Sequence, residues 1–285
     1  MHNNLESIII KDLSVSGEGF TLIKNKSYGY YETHPKPQLD NLDSYYKSQD
    51  YISHTNLKRS FFERIYHIIR YYTIRRKLDL INSFKTVSKT LLDVGCGTGS
   101  FISHANKRLW NVTGIEPNLK ARSNCDPDIK SFVFNTKELD QLSKSSFDVI
   151  TLWHVMEHIY NLEEQMSLIC SLLKTKGKLV LALPNYKSFD SRYYKNFWAA
   201  FDVPRHLYHF DQDSVETFFH DRGLRLIKVK PMLFDAFYVS ILSERFKKNK
   251  FSLMRGILIG LVSNLKAIYS GEFSSKIYIL EKEAL

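Results

Sequence analysis

Apolar positions along this chain follow two patterns, and the change from one to the other comes near residue 85. From Ser60 to Phe84 the residues Phe61, Ile65, Ile68, Ile69, Tyr72 and Leu78 recur at three- and four-residue steps between basic positions, which predicts one amphipathic helix. Beyond it, short apolar runs alternate with helix-length stretches. The runs are TLLDV ending at Val94, VTGI ending at Ile115, SFVF ending at Phe134, FDVITLW ending at Trp153 and KLVLAL ending at Leu183. Strands separated in this way imply right-handed crossovers and a parallel sheet. Two further strands are predicted at Leu224 to Lys230 and Lys276 to Leu280, with a mostly helical insertion, residues 232–274, between them. Residues 1–60 are rich in Tyr, Asn, Ser and Asp, carry a Pro-Lys-Pro step at Pro35 to Pro37, and show no helical period. They predict an extended, β-containing appendage to an α/β domain spanning 61–285.

Composition narrows the class. The 285 residues are 44% hydrophobic, enough for one sizeable α/β domain with an appendage. The opening MHNNLESIII lacks the features of a secretory signal, and no apolar run reaches transmembrane length, so a cytoplasmic protein is expected. Cys96, Cys125 and Cys170 are widely spaced and unpaired, which suits a reducing compartment. The net charge of +10 favours acidic partners: nucleic acid, anionic lipid or a phosphorylated substrate. The surplus sits at the two ends, with 14 Lys and Arg against 9 Asp and Glu in residues 1–89, and 10 against 5 in residues 227–285.

The strongest local signal is LLDVGCGTGSF, residues 91–101, where a strand runs into Gly95, Gly97 and Gly99 before a helix begins near Ser100. Glycines at such a turn permit positive φ and let a ligand lie against bare backbone. The spacing departs from the dinucleotide fingerprint, since its third glycine would fall on Ser100. Asp93, two residues before Gly95, would repel a pyrophosphate and suits a ligand carrying an ammonium group. Glu116, in VTGIEPN, ends the next strand where a carboxylate can accept both hydroxyls of a ribose. The alternative is a tight turn and one surface acid. Cys96 reads as a small turn residue, not a reactive thiol.

Taken in order, DVGCGTG, IEPN, FDVITLWHVMEHI and GKLVLALPN resemble class I S-adenosylmethionine-dependent methyltransferases, in the branch of the ubiquinone-biosynthesis O-methyltransferases and many unassigned bacterial enzymes. The resemblance covers roughly residues 85–230. It implies a Rossmann-like, seven-stranded sheet with helices on both faces, and S-adenosylmethionine as cofactor. It also implies a cofactor site of Asp93, Gly95, Cys96, Gly97, Gly99, Glu116 and Pro117, with Asn135 beside the adenine and Trp153 closing over the ligand. Ubiquinone-type relatives hold a divalent ion with a Glu-x-x-Glu-His set; here His154 replaces the first acid, so no metal is expected. Some relatives begin with a zinc-ribbon-like segment whose cysteine pair would fall on Asn25 and Tyr28, so no zinc is expected either.

WHVMEHI places His154, Glu157 and His158 at a predicted helix start, where all three would share one face. Read alone, H-x-x-E-H is the inverted zinc-protease motif, but it follows a strand of a cofactor-binding sheet and no third ligand is indicated. Residues 185–211 form a long aromatic-rich segment without predicted structure of its own, which reads as a lid. Its phrase FDVPRHLYHF resembles a signature of the same branch, and Arg205, His206 and His209 are candidates for an anionic acceptor or its proton. Alternatively the lid packs internally and its histidines bond within it. Methyl transfer needs an aligned acceptor and a base, for which His154 and His206 are the candidates.

The expected activity is O-methylation of a small molecule or cell-envelope precursor. An RNA methyltransferase using the basic flanks and a non-catalytic cofactor-binding scaffold are the alternatives. Against nucleic acid, Leu152 to Val155 stand where amino-methyltransferases of nucleic acids carry Asn/Asp-Pro-Pro-aromatic. Finally, Arg245, Lys247, Lys248 and Lys250 precede FSLMRGILIGLV, residues 251–262. Such a segment can lie peripherally on the anionic inner face of a membrane, where it would meet a lipid-linked acceptor, or it can pack over the site or against another subunit.

Overall fold

The computed structural model describes residues 7–46 and 61–283. Two sheets organise it. The larger is built from β4 (Thr90–Val94), β5 (Asn111–Ile115), β6 (Val133–Phe134), β7 (Phe147–Trp153), β8 (Leu173–Pro184), β10 (Leu224–Pro231) and β11 (Ser275–Lys282). Their order is β10-β11-β8-β7-β4-β5-β6. The five from β4 to β8 run parallel, while β11 lies antiparallel to both β8 and β10.

Each central strand is apolar on both faces, as a sheet covered by helices requires. Neighbouring residues divide between two cores. Leu92, Ile150, Leu181 and Leu280 join one, with Met166 and Ile169 of α5 (Leu162–Leu172) and Val215 and Phe218 of α7 (Gln212–His220). Leu91, Val149, Val180 and Ile279 join the other, with Leu78 and Ile81 of α2 (Phe61–Asn82) and Phe101 and Ile102 of α3 (Ser100–Asn106). That alternation is the two-residue period of a strand. Each such leucine, wholly buried, contributes about 1.5–3 kcal/mol of transfer free energy. The ladder reverses direction of growth between β4 and β7, so the carboxyl ends of these two strands open the crevice where ligands of open α/β sheets bind.

The smaller sheet, in the order β1-β2-β3-β9, takes β1 (Ser7–Lys11), β2 (Gly19–Lys24) and β3 (Tyr31–His34) from the N-terminal segment. Its fourth strand, β9 (Tyr208–His209), comes from the predicted lid and pairs Tyr31 with His209 and Glu32 with Tyr208. A short helix, α1 (Leu39–Tyr45), follows β3. The parts of the expected appendage at 1–6 and 47–60 lie outside the described residues. At Asn25 and Tyr28 the chain makes a turn in which the Asn25 side chain accepts the amides of Ser27 and Tyr28. Tyr28 stacks on Tyr30, and both meet Phe218 edge-on.

The segment expected to lack structure of its own has a good deal. It holds α6 (Phe189–Tyr194), two 3-10 turns and β9, and its Trp198, Phe201 and Val203 are buried with Ile10, Phe20 and Leu22 of the small sheet. Aromatic side chains that read as a lid form a core with the small sheet and with Val239 of the following helical insertion. The insertion before β11 is a helical hairpin, α8 (Leu233–Phe246) and α9 (Ser252–Ser270). With α4 (Leu119–Ser123) these complete the α-helices among the described residues.

Candidate active site

The loop after β4 follows from its glycines. Gly95, Gly97 and Gly99 all have positive φ, at 72°, 58° and 74°. The amides of Gly95 and Cys96 both donate to the Ile115 carbonyl, which draws the loop across the end of β5. A Cβ on Gly95 would stand 2.4 Å from Val155 Cγ2, and one on Gly99 at the same distance from Ile129 Cδ1. At Gly97 a Cβ would meet nothing within 4 Å. Two of the glycines are therefore required by packing, whereas the third leaves an open shelf.

Glu116 closes the far side of this shelf. Its two carboxylate oxygens accept the amides of Gly97 and Asn118, each at 2.9 Å, and it is buried. Asp93 lies deeper, accepting the Thr151 hydroxyl at 2.5 Å. Burial, with Glu116 nearby, pushes its carboxyl up to about 7 against the pull of Thr151 and Lys77. Burial likewise pushes the Cys96 thiol well up, which keeps it protonated. Pro117 is exposed at the rim, and Asn135 caps the turn after β6 by accepting the Lys137 amide. Trp153 meets Phe101 edge-on, and its indole N–H is buried without a partner. Over that indole, at 4.2 Å, lies the ammonium of Lys77 from α2. Burial lowers Lys77 to about 8, opposed by Asp93 and Asp235. Sequence reasoning missed Lys77, whose only signal was a basic residue on the amphipathic helix leading into the core.

The acceptor side departs further from expectation. His154 is not at a helix start: it has φ of 56°, a 3-10 turn (Met156–His158) follows, and α5 begins at Leu162. His154 Nδ1 faces Glu157 at 3.4 Å and Nε2 faces Asp235 at 3.1 Å. Burial opposes a charge there, but the two carboxylates outweigh it and hold the imidazolium up to about 10. Both carboxylates thus favour the protonated form of the His154 ring. Asp235, 81 positions downstream in the first turn of α8, carried no motif by which it could have been found.

Glu157 and His158 meet His206 instead. One donor atom from each falls within 4.8 Å of the others, and the two rings pack edge to face at 4.6 Å. His206 Nδ1 donates to the Ala200 carbonyl at 2.9 Å, so its Nε2 carries the lone pair. Burial, and the neighbouring His158, push it well below the ordinary range, which keeps it neutral. Here is the third donor that the sequence did not indicate. Its donor types suit a divalent ion, while the His154 ring lies 3.4 Å from Glu157 and sets a positive charge against it. Arg205 and His209 are struts. Arg205 pairs with Asp202 and donates to Ser14, while His209 Nε2 donates to Thr33, whose hydroxyl donates in turn to the His206 carbonyl. Both side chains are buried and engaged in these contacts, as His206 is with Ala200.

An open sheet of this order with one reversed strand, a glycine shelf after its first strand and an acid after its second, defines a class I methyltransferase core. Residues 66–229 match a family model described as a methyltransferase domain. The chain belongs to that family, whose cofactor is S-adenosylmethionine. The human mitochondrial ubiquinone biosynthesis O-methyltransferase is 26% identical over 164 residues, 52% of this chain and 44% of that protein. The chain thus spans less than half the length of that curated relative. Among solved structures, magnesium protoporphyrin IX methyltransferase from Synechocystis PCC 6803 with bound SAH is 13% identical, with a TM-score of 0.56, covering 86% of this chain and 100% of that one. Phosphoethanolamine N-methyltransferase 2 from Haemonchus contortus, in complex with S-adenosyl-L-methionine, is 16% identical, with a TM-score of 0.53 over 93% of this chain and 64% of that one. These two likenesses are of fold.

Proposed function

We propose that the protein transfers the methyl group of S-adenosylmethionine to an oxygen of a small or lipid-linked acceptor. In this reading the donor lies on the Gly97 shelf, with its ribose hydroxyls at Glu116 and its amino-acid end between Asp93 and Lys77, one charge for each end of a zwitterion. When bound, the sulfonium supplies an activated methyl group. The protein must orient the acceptor, exclude water and take its proton.

The observation that carries the acceptor side is the clustering of Glu157, His158 and His206 after β7, with His206 Nδ1 tied to the Ala200 carbonyl and its Nε2 left as the acceptor. His206 is the proton acceptor. His154, fixed as an imidazolium between Asp235 and Glu157, keeps Glu157 charged and orients it, so it is a positioning residue. A hydroxyl suits this site better than an amine, because a hydroxyl must lose its proton as it attacks.

The test is incubation with methyl-labelled donor and fractionated small molecules, lipids and RNA. Label entering an oxygen of an extractable small or lipid-linked compound is expected. Label in RNA, or donor binding with no labelled product in any fraction, would overturn the proposal.

A further inference from the structure

The hairpin of α8 and α9 is packed the wrong way round for a helix pair in water. The buried side of α9 carries Gly256, Gly260, Ser263 and Ala267. A Cβ on Gly256 would stand 2.5 Å from Ile241 Cα, and one on Gly260 2.8 Å from Phe237 Cα, so the two backbones touch. Small residues that bring backbones together are the packing used where the surroundings of a helix are apolar. The large residues point outwards. Met254, Leu258, Leu261, Leu265 and Ile268 recur at four- and three-residue steps along one stripe, between 47% and 71% exposed. A stripe of that length on a water-facing helix marks an interaction surface.

Charge decides what covers it. Residues 245–271 contain six cations and no acid. Arg245, Lys247, Lys248 and Lys250, at the turn between the helices, are exposed, and Arg245, Lys248 and Lys250 have no ion pair among the described residues. A second copy packed through the same stripe would bring no acid from residues 245–271 to the basic turn. A surface that offers apolar matter below a layer of anions satisfies both features. No described helix is long and apolar enough to cross a membrane.

We infer that the α8–α9 hairpin lies on an anionic lipid bilayer, with the α9 stripe in the acyl boundary and the basic turn among the headgroup phosphates. The placement relates to the site. Asp235, which holds His154, is in the first turn of α8, and the adjoining Phe234 packs edge-on against Tyr72 of α2. The root of the hairpin is therefore a wall of the crevice, and docking brings the crevice to the bilayer surface. This deepens the function proposed above, on which it rests for the acceptor, by naming the surface at which a lipid-linked acceptor is met.

The experiment is sedimentation of the full chain with vesicles of phosphatidylcholine alone, or with rising fractions of phosphatidylglycerol, at low and physiological salt. No donor or acceptor is present, so the result does not depend on methyl transfer. Binding should rise with the anionic fraction and fall with salt. Each lysine removed should weaken it by about fivefold at low salt, so the triple variant Lys247→Gln, Lys248→Gln, Lys250→Gln should lose on the order of a hundredfold. Leu258→Asn with Leu265→Asn, both on the solvent face, should abolish binding while the protein's thermal transition stays unchanged. Absence of binding to anionic vesicles at low salt overturns the inference. So does self-association that the leucine pair abolishes while vesicle binding persists, because the stripe would then face a second copy. Vesicle binding by a protein that methylates only a water-soluble compound supports the docking and removes the lipid-linked acceptor.

Discussion

Replacing Asp235 by Asn tests the charge arrangement at the acceptor side. The carboxylate lies 3.1 Å from His154 Nε2, against 3.4 Å for Glu157 at Nδ1, so the variant removes the closer partner and keeps the shape. His154 stands above its unfolded value of 6.5, at about 10. The folded protein therefore keeps a proton that the unfolded chain releases. The stabilisation is complete below pH 6.5 and is lost as the pH climbs to about 10. At about 1.36 kcal/mol per pH unit that rise corresponds to about 5 kcal/mol without solvent. A third of the His154 side chain is in water, 34% by area, and screening leaves about 1–2 kcal/mol for the whole arrangement. Asp235→Asn is expected to cost about 1 kcal/mol at pH 6, with the difference from wild type vanishing near pH 10. Urea unfolding across that range measures it, and the ring resonances of His154 followed by NMR report the titration directly. A His154 that titrates near 6.5 in the wild type, or a stability difference that does not change with pH, would refute the reasoning.

Gly97→Arg should abolish binding of S-adenosylmethionine and S-adenosylhomocysteine in calorimetry while the fold survives. Nothing lies within 4 Å of the added Cβ, and the positive φ costs about 1–2 kcal/mol. Gly95→Ala, which drives a methyl into Val155, should instead lower the thermal transition. Because Asp93 is pushed to about 7, and an ammonium binds its ionised form, donor affinity should rise from pH 6 to pH 8. Lys77→Met removes the cation that favours ionisation and should move this rise to higher pH; a profile that is flat, or unmoved by the variant, would count against both roles. Thorough chelation should leave turnover unchanged, since His154 already balances Glu157; loss of turnover restored by added zinc would instead assign an ion to Glu157, His158 and His206.

The strands of the large sheet and the glycine turn after β4 were legible in the sequence, because both depend on local pattern. Each strand of the large sheet was visible as a short apolar run, with the error confined to its ends: β8 starts at Leu173, ahead of the predicted run. The glycine shelf and Glu116 were legible for the same reason, since a turn that needs positive φ and an acid at a strand end are both written within a few residues. The acceptor side was not. His154 meets Asp235, and Glu157 meets His206, across gaps of 81 and 49 positions, and nothing in the spacing of either pair announces the contact. The left-handed backbone at His154 broke the helical register that would have put it beside His158. Residues 185–211 left two readings open because aromatic residues in a long connection look alike whether they cover a ligand or fill a core, and the pairing of β9 with β3 is visible only in the structure. In the same way, the sequence showed that α9 is apolar and flanked by cations. Which side would face inwards was settled by tertiary packing: the two glycines let the backbones of α8 and α9 touch, and the large side chains are left outside.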